Sequence, residues 1–406
     1  MQKYNTVFLG LIYSKTEEKI LLNDSKTGLQ GAANTFQWAL INGLKDLLSD
    51  DLDVLSSLPV GTFPRYYKKL IIPDTKDSVV QNYKQMGFVN IPIIKQLGRK
   101  SKVISELSKK INENMTDKFV VICYSLYAPY VEALYALKLK YPDKLRICMI
   151  VPDLPGKFGI APKQFIKKIA YSLSGRKVFT ICNKFDYYVI LTEQMKYPLK
   201  IEDKPYVVIE GIASYSPEKE SGYLEKRSKD KTILFTGTIN RVFGIERLIK
   251  AFELLKGSDY KLVICGTGDM EETVREKAKE DSRIHFLGYI KKEEVILLQK
   301  KASVLVNPRI EDGDYVKYSF PSKTIEYLLS GTPVVMDKLS GIPQDYYNYI
   351  LCPKDQSPEA LADTMKYACN LSDEERAILG QKGRTFIIEN KTAIIQAQKI
   401  VNMIWN

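Results

Sequence analysis

A chain of 406 residues exceeds the roughly 250–300 residues at which one hydrophobic core stops growing, so two domains are expected. With 45% hydrophobic and 27% charged residues it has ordinary globular composition, which excludes a disordered or low-complexity polymer. The net charge of +12 falls almost wholly in residues 1–210, where 31 basic residues face 20 acidic ones, so the positive surface belongs to the first half.

Six cysteines (Cys123, Cys148, Cys182, Cys265, Cys352, Cys369) form no CxxC pair, and several sit in apolar runs. They read as buried small hydrophobes in a reducing compartment. A single histidine, His285 in RIHFLGY, excludes a His-rich metal site and any His-dependent relay elsewhere; it reads as a core or strand-end residue. The longest apolar runs, such as VFLGLIY (7–13) and FVVICY (119–124), are strand-sized, far below the roughly 20 residues of a membrane-spanning helix. No signal-peptide pattern opens the chain, so a cytoplasmic protein is expected.

In chain order, apolar strands alternate with helix-period stretches: VFLGLIY, then NTFQWALINGLKDLL; KLIIP; FVVICYS, then PYVEALYALKLKY; RICMIVPD; YYVILT; YVVIEGI. Strands without a polar face belong to parallel sheets covered by helices on both sides. The polar stretch SYSPEKESGYLEKRSKD (214–230) breaks the pattern and reads as a surface connection. A second series follows: TILFTG, helix GIERLIKAFELL; YKLVICG, helix MEETVREKAKE; IHFLGY, helix KEEVILLQKKA; SVLVNP, helix SKTIEYLLSG; TPVVMD. The expected fold is α/β, two Rossmann-like doubly wound domains of parallel sheet facing a cleft, spanning 1–212 and 213–390. The tail KTAIIQAQKIVNMIWN (391–406) has helical apolar spacing and packs either on its own domain or on the other.

In the second half, strand ends run straight into glycine: FTG (Gly237), ICGTG (Gly266, Gly268) and FLG (Gly288). In open parallel sheets ligands bind beyond the carboxyl ends of strands, where glycine admits a phosphate or base; glycine there is also a common turn former. The segment YSFPSKTIEYLLSGTPVV (318–335) is more specific. Pro321, Ser322 and Lys323 open a helix whose free N–H groups and lysine make an anion site. Arg309, just past VLVNP, offers a planar fork for phosphate oxygens in the same space, enough to hold a diphosphate without metal. Glu326, one turn on, either accepts hydrogen bonds from a ribose diol or forms an ordinary i,i+3 ion pair with Lys323. Asp153, at a strand end of the first domain, either orients or deprotonates a substrate hydroxyl or caps a turn ahead of Pro155.

Residues 232–363 resemble the donor domain of glycosyltransferase family 4, especially bacterial exopolysaccharide and capsule-building members, through FTGTINRVFGIERLIKAF, YKLVICGTGDMEE, IHFLGYIKKEEV and VNPRIEDGDYVKYSFPSKTIEYLLSGTPVV. In the first half the loop GLQGAANTFQWAL (28–40), with Gly31 and Asn34, fits as the acceptor-side loop, as does VPDLP (151–155). The resemblance implies a GT-B fold, a metal-independent site without cofactor, retention of anomeric configuration, and a last helix that crosses back to the first domain. It implies that Glu326 holds the ribose, that Gly288 and Tyr289 lie by the base, and that Arg309, Ser322 and Lys323 contact the diphosphate. Two departures stand out. Tyr318 occupies the position where many relatives carry a second glutamate, which leaves Glu311, Asp312 or Asp314 as substitutes. Thr238 and Phe243 stand where relatives carry Arg and Lys, with Arg241 between them to compensate.

The basic helical stretches 93–112 and 161–179 suit either an anionic membrane or inward packing. No recognition helix, RNP-like strand or zinc finger appears, so nucleic acid is not an expected partner. The expected activity is transfer of a sugar from a nucleotide diphosphate-sugar to a saccharide, polyprenyl-diphosphate-linked, at the inner face of the plasma membrane. A nucleotide-sugar epimerase of the same fold and a non-catalytic sugar-nucleotide-binding subunit are the alternatives.

Overall fold

Strands apolar on both faces need cover on both sides, and the computed structural model supplies it in each half of the chain. It describes residues 5–49, 52–76, 81–113, 118–154, 177–215 and 230–405. The chain packs as two units, Met1–Ile212 with Ala393–Asn406, and Ala213–Thr392.

The first unit contains β1 (Asn5–Gly10), β2 (Leu52–Ser56), β3 (Ile71–Ile72), β4 (Thr75–Lys76), β5 (Tyr83–Gln85), β6 (Phe88–Val89), β7 (Phe119–Tyr124), β8 (Leu145–Val151), β9 (Tyr187–Ile190) and β10 (Tyr206–Val208). Its main sheet runs β10-β9-β8-β7-β1-β2-β5-β4, parallel except for the β4–β5 pair. In the middle, Phe8 lies level with Val54 and Ile122, all fully buried. Around it pack α1 (Lys15–Asp24), α2 (Gly31–Leu48), α3 (Pro92–Glu113) and α4 (Ala128–Lys140).

KLIIP is not a strand of that sheet. It forms β3, a two-residue antiparallel partner of β6, because only Ile72 turns inward while Ile71 stays 65% exposed. A covered parallel strand would bury both. The sequence reading also passed over α1, although Ser14 and Glu17 form a capping box at its start.

The second unit holds β11 (Lys231–Thr236), β12 (Tyr260–Cys265), β13 (Ile284–Gly288), β14 (Val304–Asn307) and β15 (Val334–Met336), all parallel, in the order β13-β12-β11-β14-β15. His285 lies on the edge strand β13 and is exposed, not in the core. Helices α5 (Ile245–Glu253), α6 (Glu271–Glu280), α7 (Lys292–Lys301), α8 (Lys323–Leu329), α9 (Pro358–Asn370) and α10 (Asp373–Asn390) accompany the sheet, whose buried side chains form two separate clusters. The last helix, α11 (Ala393–Trp405), belongs to the first unit, where Ala397, Ile400, Val401 and Ile404 join the core beside α2. The approach is close: a Cβ on Gly43 of α2 would lie 2.3 Å from the Ala393 carbonyl oxygen. Lys391 stays with the second unit, its carbonyl accepting from Ala213 N–H at 2.8 Å, so the crossing falls two residues later than expected.

Candidate donor pocket

The chain order of the second sheet reverses beside β11, the point where open α/β sheets bind ligands beyond their strand ends. There the ends of β11, β12 and β14 border a pocket of about 500 Å3. Its floor is backbone against backbone: Gly237 N–H donates to Cys265 O at 3.0 Å and Gly266 N–H to Gly288 O at 2.8 Å. Gly266 has φ +141°, and a Cβ there would sit 1.7 Å from the Gly237 carbonyl oxygen, so only glycine allows the two strand ends to meet.

Arg309 forms one wall. It is 5% exposed, its Nη1 donates to Ser319 Oγ at 3.3 Å, and its guanidinium lies 5.8 Å from the Phe243 ring centroid and 5.4 Å from that of Tyr315. Its buried Nε has no hydrogen-bond partner among the described residues. Burial lowers its pKa, yet a guanidinium starts so high that it keeps its charge at neutral pH.

Lys323, also in the lining, donates from Nζ to Glu326 Oε1 at 2.8 Å, and the same oxygen accepts from Gln299 Nε2 at 2.6 Å. Gln299, buried on α7, also donates to Thr236 Oγ1 at 3.1 Å. The Tyr327 hydroxyl closes the chain by accepting from Thr236 N–H at 2.8 Å and donating to Thr236 O at 3.0 Å. Burial pushes its pKa well up, so it stays a donor. Strand β11 and helices α7 and α8 are thus tied into one polar network behind Lys323.

Six of the residues picked from the sequence line this pocket: Gly237, Gly266, Tyr289, Arg309, Ser322 and Lys323. Tyr289 stands 78% exposed. Glu326 is one link behind, in the i,i+3 pair that was the simpler alternative, and neither it nor Tyr318 is among the lining residues. Arg241, offered in place of the missing Arg and Lys, is not among the lining residues. Its side chain, 70% exposed, pairs with Glu246 at 3.1 Å, while Phe243 lines the pocket. Glu311 is engaged elsewhere as well, with Oε2 accepting from Ser340 N–H at 2.8 Å and Oε1 bonded to Ser340 Oγ at 2.5 Å.

In the first unit Asp153 follows the end of β8. One face is open to solvent, but the protein packed around it raises its carboxyl pKa by desolvation. Asn34 is committed to the β1 loop, accepting from Tyr13 N–H at 3.0 Å and donating to Tyr13 O at 3.2 Å. Gly31 opens α2, where a Cβ would meet open space. The basic stretch 161–179 lies outside the described residues up to 176. Among the described residues no group of three or more His, Cys, Asp or Glu is placed to hold a metal ion, and no helix is long and apolar enough to cross a membrane.

Sequence reasoning missed Gln299 and Tyr327. A signal existed for the first: Val295 and Gln299 are four apart on α7, which puts an amide on its inward stripe. Five of the six cysteines are buried and all are free.

Residues 217–386 match the family model described as glycosyl transferases group 1. No curated protein sequence matches the chain. Among solved structures it is similar to sucrose-phosphate synthase from Thermosynechococcus elongatus (17% identity, 99% of each chain covered, TM-score 0.62). It is also similar to the lipopolysaccharide outer core galactosyltransferase WaaB (16% identity, 98% of this chain and 99% of that one, TM-score 0.58). A third is Anabaena HepE in complex with UDP-glucose (12% identity, 98% of each chain, TM-score 0.57). The fold is therefore GT-B. Residues 217–386, which contain the pocket, form a glycosyl transferases group 1 domain within that fold.

Proposed function

We propose that the pocket holds a nucleoside diphosphate-sugar and that the enzyme transfers its sugar to a saccharide acceptor. The observation that carries this is the meeting of Arg309 and Lys323 on one pocket at the glycine-floored strand ends. When the bond at the anomeric carbon breaks, negative charge develops on the leaving diphosphate, and fixed cations already in place stabilise it without reorganisation. Two cations meet this charge without a metal ion, so a chelator leaves activity intact. Gln299 and Lys323 both occupy Glu326 Oε1, which fixes the carboxylate and leaves Oε2 for a ribose hydroxyl. Tyr289 offers an exposed ring to the base.

The acceptor side falls to the first unit. Asp153, with its carboxyl pKa raised, serves as the group that orients or deprotonates the acceptor hydroxyl. A polyprenyl-diphosphate-linked saccharide of bacterial surface polysaccharide synthesis is the acceptor class, and retention the stereochemical course; both rest on the family resemblance. Uridine nucleotides are the first donors to screen, because HepE, of similar fold, binds UDP-glucose.

Thermal shift with a panel of nucleoside diphosphates identifies the base, and incubation with nucleotide sugars and lipid-linked acceptors measures transfer. Lys323→Ala is expected to lower kcat about 100-fold or more, the scale for loss of one fixed charge-stabilising donor. Full transfer by both Lys323→Ala and Glu326→Ala would overturn the assignment.

A further inference from the structure

Two short segments of the first unit carry an unusual surface. PRYYKKLI (64–71) and VNIPIIKQL (89–97) contain no acidic residue. They are joined by the β3–β6 ladder, which sets Ile71 beside Val89, and by Asn90 N–H donating to Leu70 O at 2.7 Å. On this joined surface Leu70, Ile71 and Val89 are exposed, and so are Ile93, Ile94 and Leu97 on the first turns of α3. Ile71, Ile93 and Leu97 reach 65%, 75% and 63%. Contiguous apolar surface of this kind is uncommon on soluble proteins unless something covers it. Arg65, Lys68 and Lys69 flank it, all exposed. Lys69 pairs with Asp24 at 2.8 Å, and Lys68 Nζ donates to a neutral carbonyl, that of Asn23, so of the three Arg65 and Lys68 are the cations without a carboxylate partner among the described residues.

The cations farther along α3 are committed elsewhere. Lys100 pairs with Glu132 at 2.7 Å, Lys102 with Asp74 at 2.7 Å, and Lys110 with Asp53. Lys95 and Arg99 are buried. The basic face expected from stretch 93–112 is therefore largely neutralised, and the exposed feature of the helix is its apolar start.

We propose that this edge of the first unit, β3, β6 and the first turns of α3, docks on an anionic lipid bilayer. The aliphatic side chains enter the headgroup boundary while Arg65 and Lys68 meet lipid phosphates. Charge decides between occupants. A second copy docking through the same patch by a twofold axis brings the two sets of cations together, and like charges oppose that contact; an anionic membrane attracts them. The inference deepens the proposed membrane-borne acceptor by naming the partner surface, but it does not depend on the donor pocket.

The test is co-sedimentation of the full chain with phosphatidylcholine vesicles, with and without phosphatidylglycerol. Binding is expected only to the anionic vesicles and to weaken with salt. Arg65→Glu and Lys68→Glu are each expected to weaken it about fivefold or more, and Ile93→Ser with Leu97→Ser to weaken it at least as far. These positions are exposed, so melting temperature and nucleotide binding should not change, which separates this result from failure of the donor site. Absence of vesicle binding, or binding that these variants leave intact, overturns the proposal. So does a dimer, seen by light scattering, that the same variants abolish, since it assigns the face to a second copy.

Discussion

Both units grip the loop that follows a strand with buried cations, but only one grip carries its own counter-charge. In the second unit Arg247 donates to Pro308 O at 3.3 Å, beside the pocket residue Arg309, and is paired with Asp337, 3% exposed. Burial pushes the Asp337 carboxyl up against the opposing pull of Arg247. In the first unit Lys95 and Arg99 hold the loop after β2 by the carbonyls of Val60 and Leu58. Arg99 also donates to the Tyr127 hydroxyl at 2.9 Å and lies 4.1 Å from the Phe88 ring centroid. Burial, and then the charge of Arg99, bring Lys95 down to about 7. A paired cation holds its loop at any pH near neutrality, whereas one resting on carbonyls is poised to lose its proton there.

The largest expected effect breaks the paired grip. Arg247→Met leaves Asp337 buried without its partner and should cost about 3–5 kcal/mol in chemical denaturation. Nucleotide affinity should fall with it, because the Pro308–Arg309 segment loses its anchor. Next, Gly266→Ala forces a Cβ into the Gly237 carbonyl and should cost about 2 kcal/mol or more, while Gly31→Ala, with open space and a helix-start position, should be neutral or stabilise by up to about 1 kcal/mol. Equal thermal shifts for the two would show that the pocket floor is not built by close backbone approach.

Gln299→Ala removes one of two donors on Glu326 Oε1 and should weaken nucleotide binding by about 1–3 kcal/mol. The informative readout is the preference for ribo- over 2′- or 3′-deoxy nucleotides, which should shrink in the variant if Gln299 acts by aiming Glu326. The smallest effect at neutral pH concerns Lys95. Unfolded, it keeps its proton to about its ordinary 10.5; folded, it gives it up above about 7. Between those values the unfolded chain binds more protons, so stability should rise with pH. Lys95→Met should flatten that rise in denaturation measured from pH 7 to 10.

Parallel sheets were legible because strands such as FVVICY have no polar face, and Arg309 and Lys323 because each follows a recognisable strand end or helix start. What stayed hidden depended mostly on partners distant in sequence. Gln299 reaches Glu326 across 27 positions, and Glu311 is drawn to Ser340 across 29. Arg241 could not be seen to turn outward, because that depends on a local pair with Glu246. KLIIP had the composition of a core strand, and only the pairing of β3 with β6 set one of its isoleucines outside.

Helix α11 has a consequence for how the protein is made. The core around α2 includes Ala397, Ile400, Val401 and Ile404, which leave the ribosome only after the whole second unit has been synthesised. The first unit, begun first, is therefore finished last, and until then an apolar face of α2 waits uncovered. A fragment ending at residue 212 stays in that unfinished condition and should aggregate, whereas the second unit, uninterrupted in sequence, is the half to express alone.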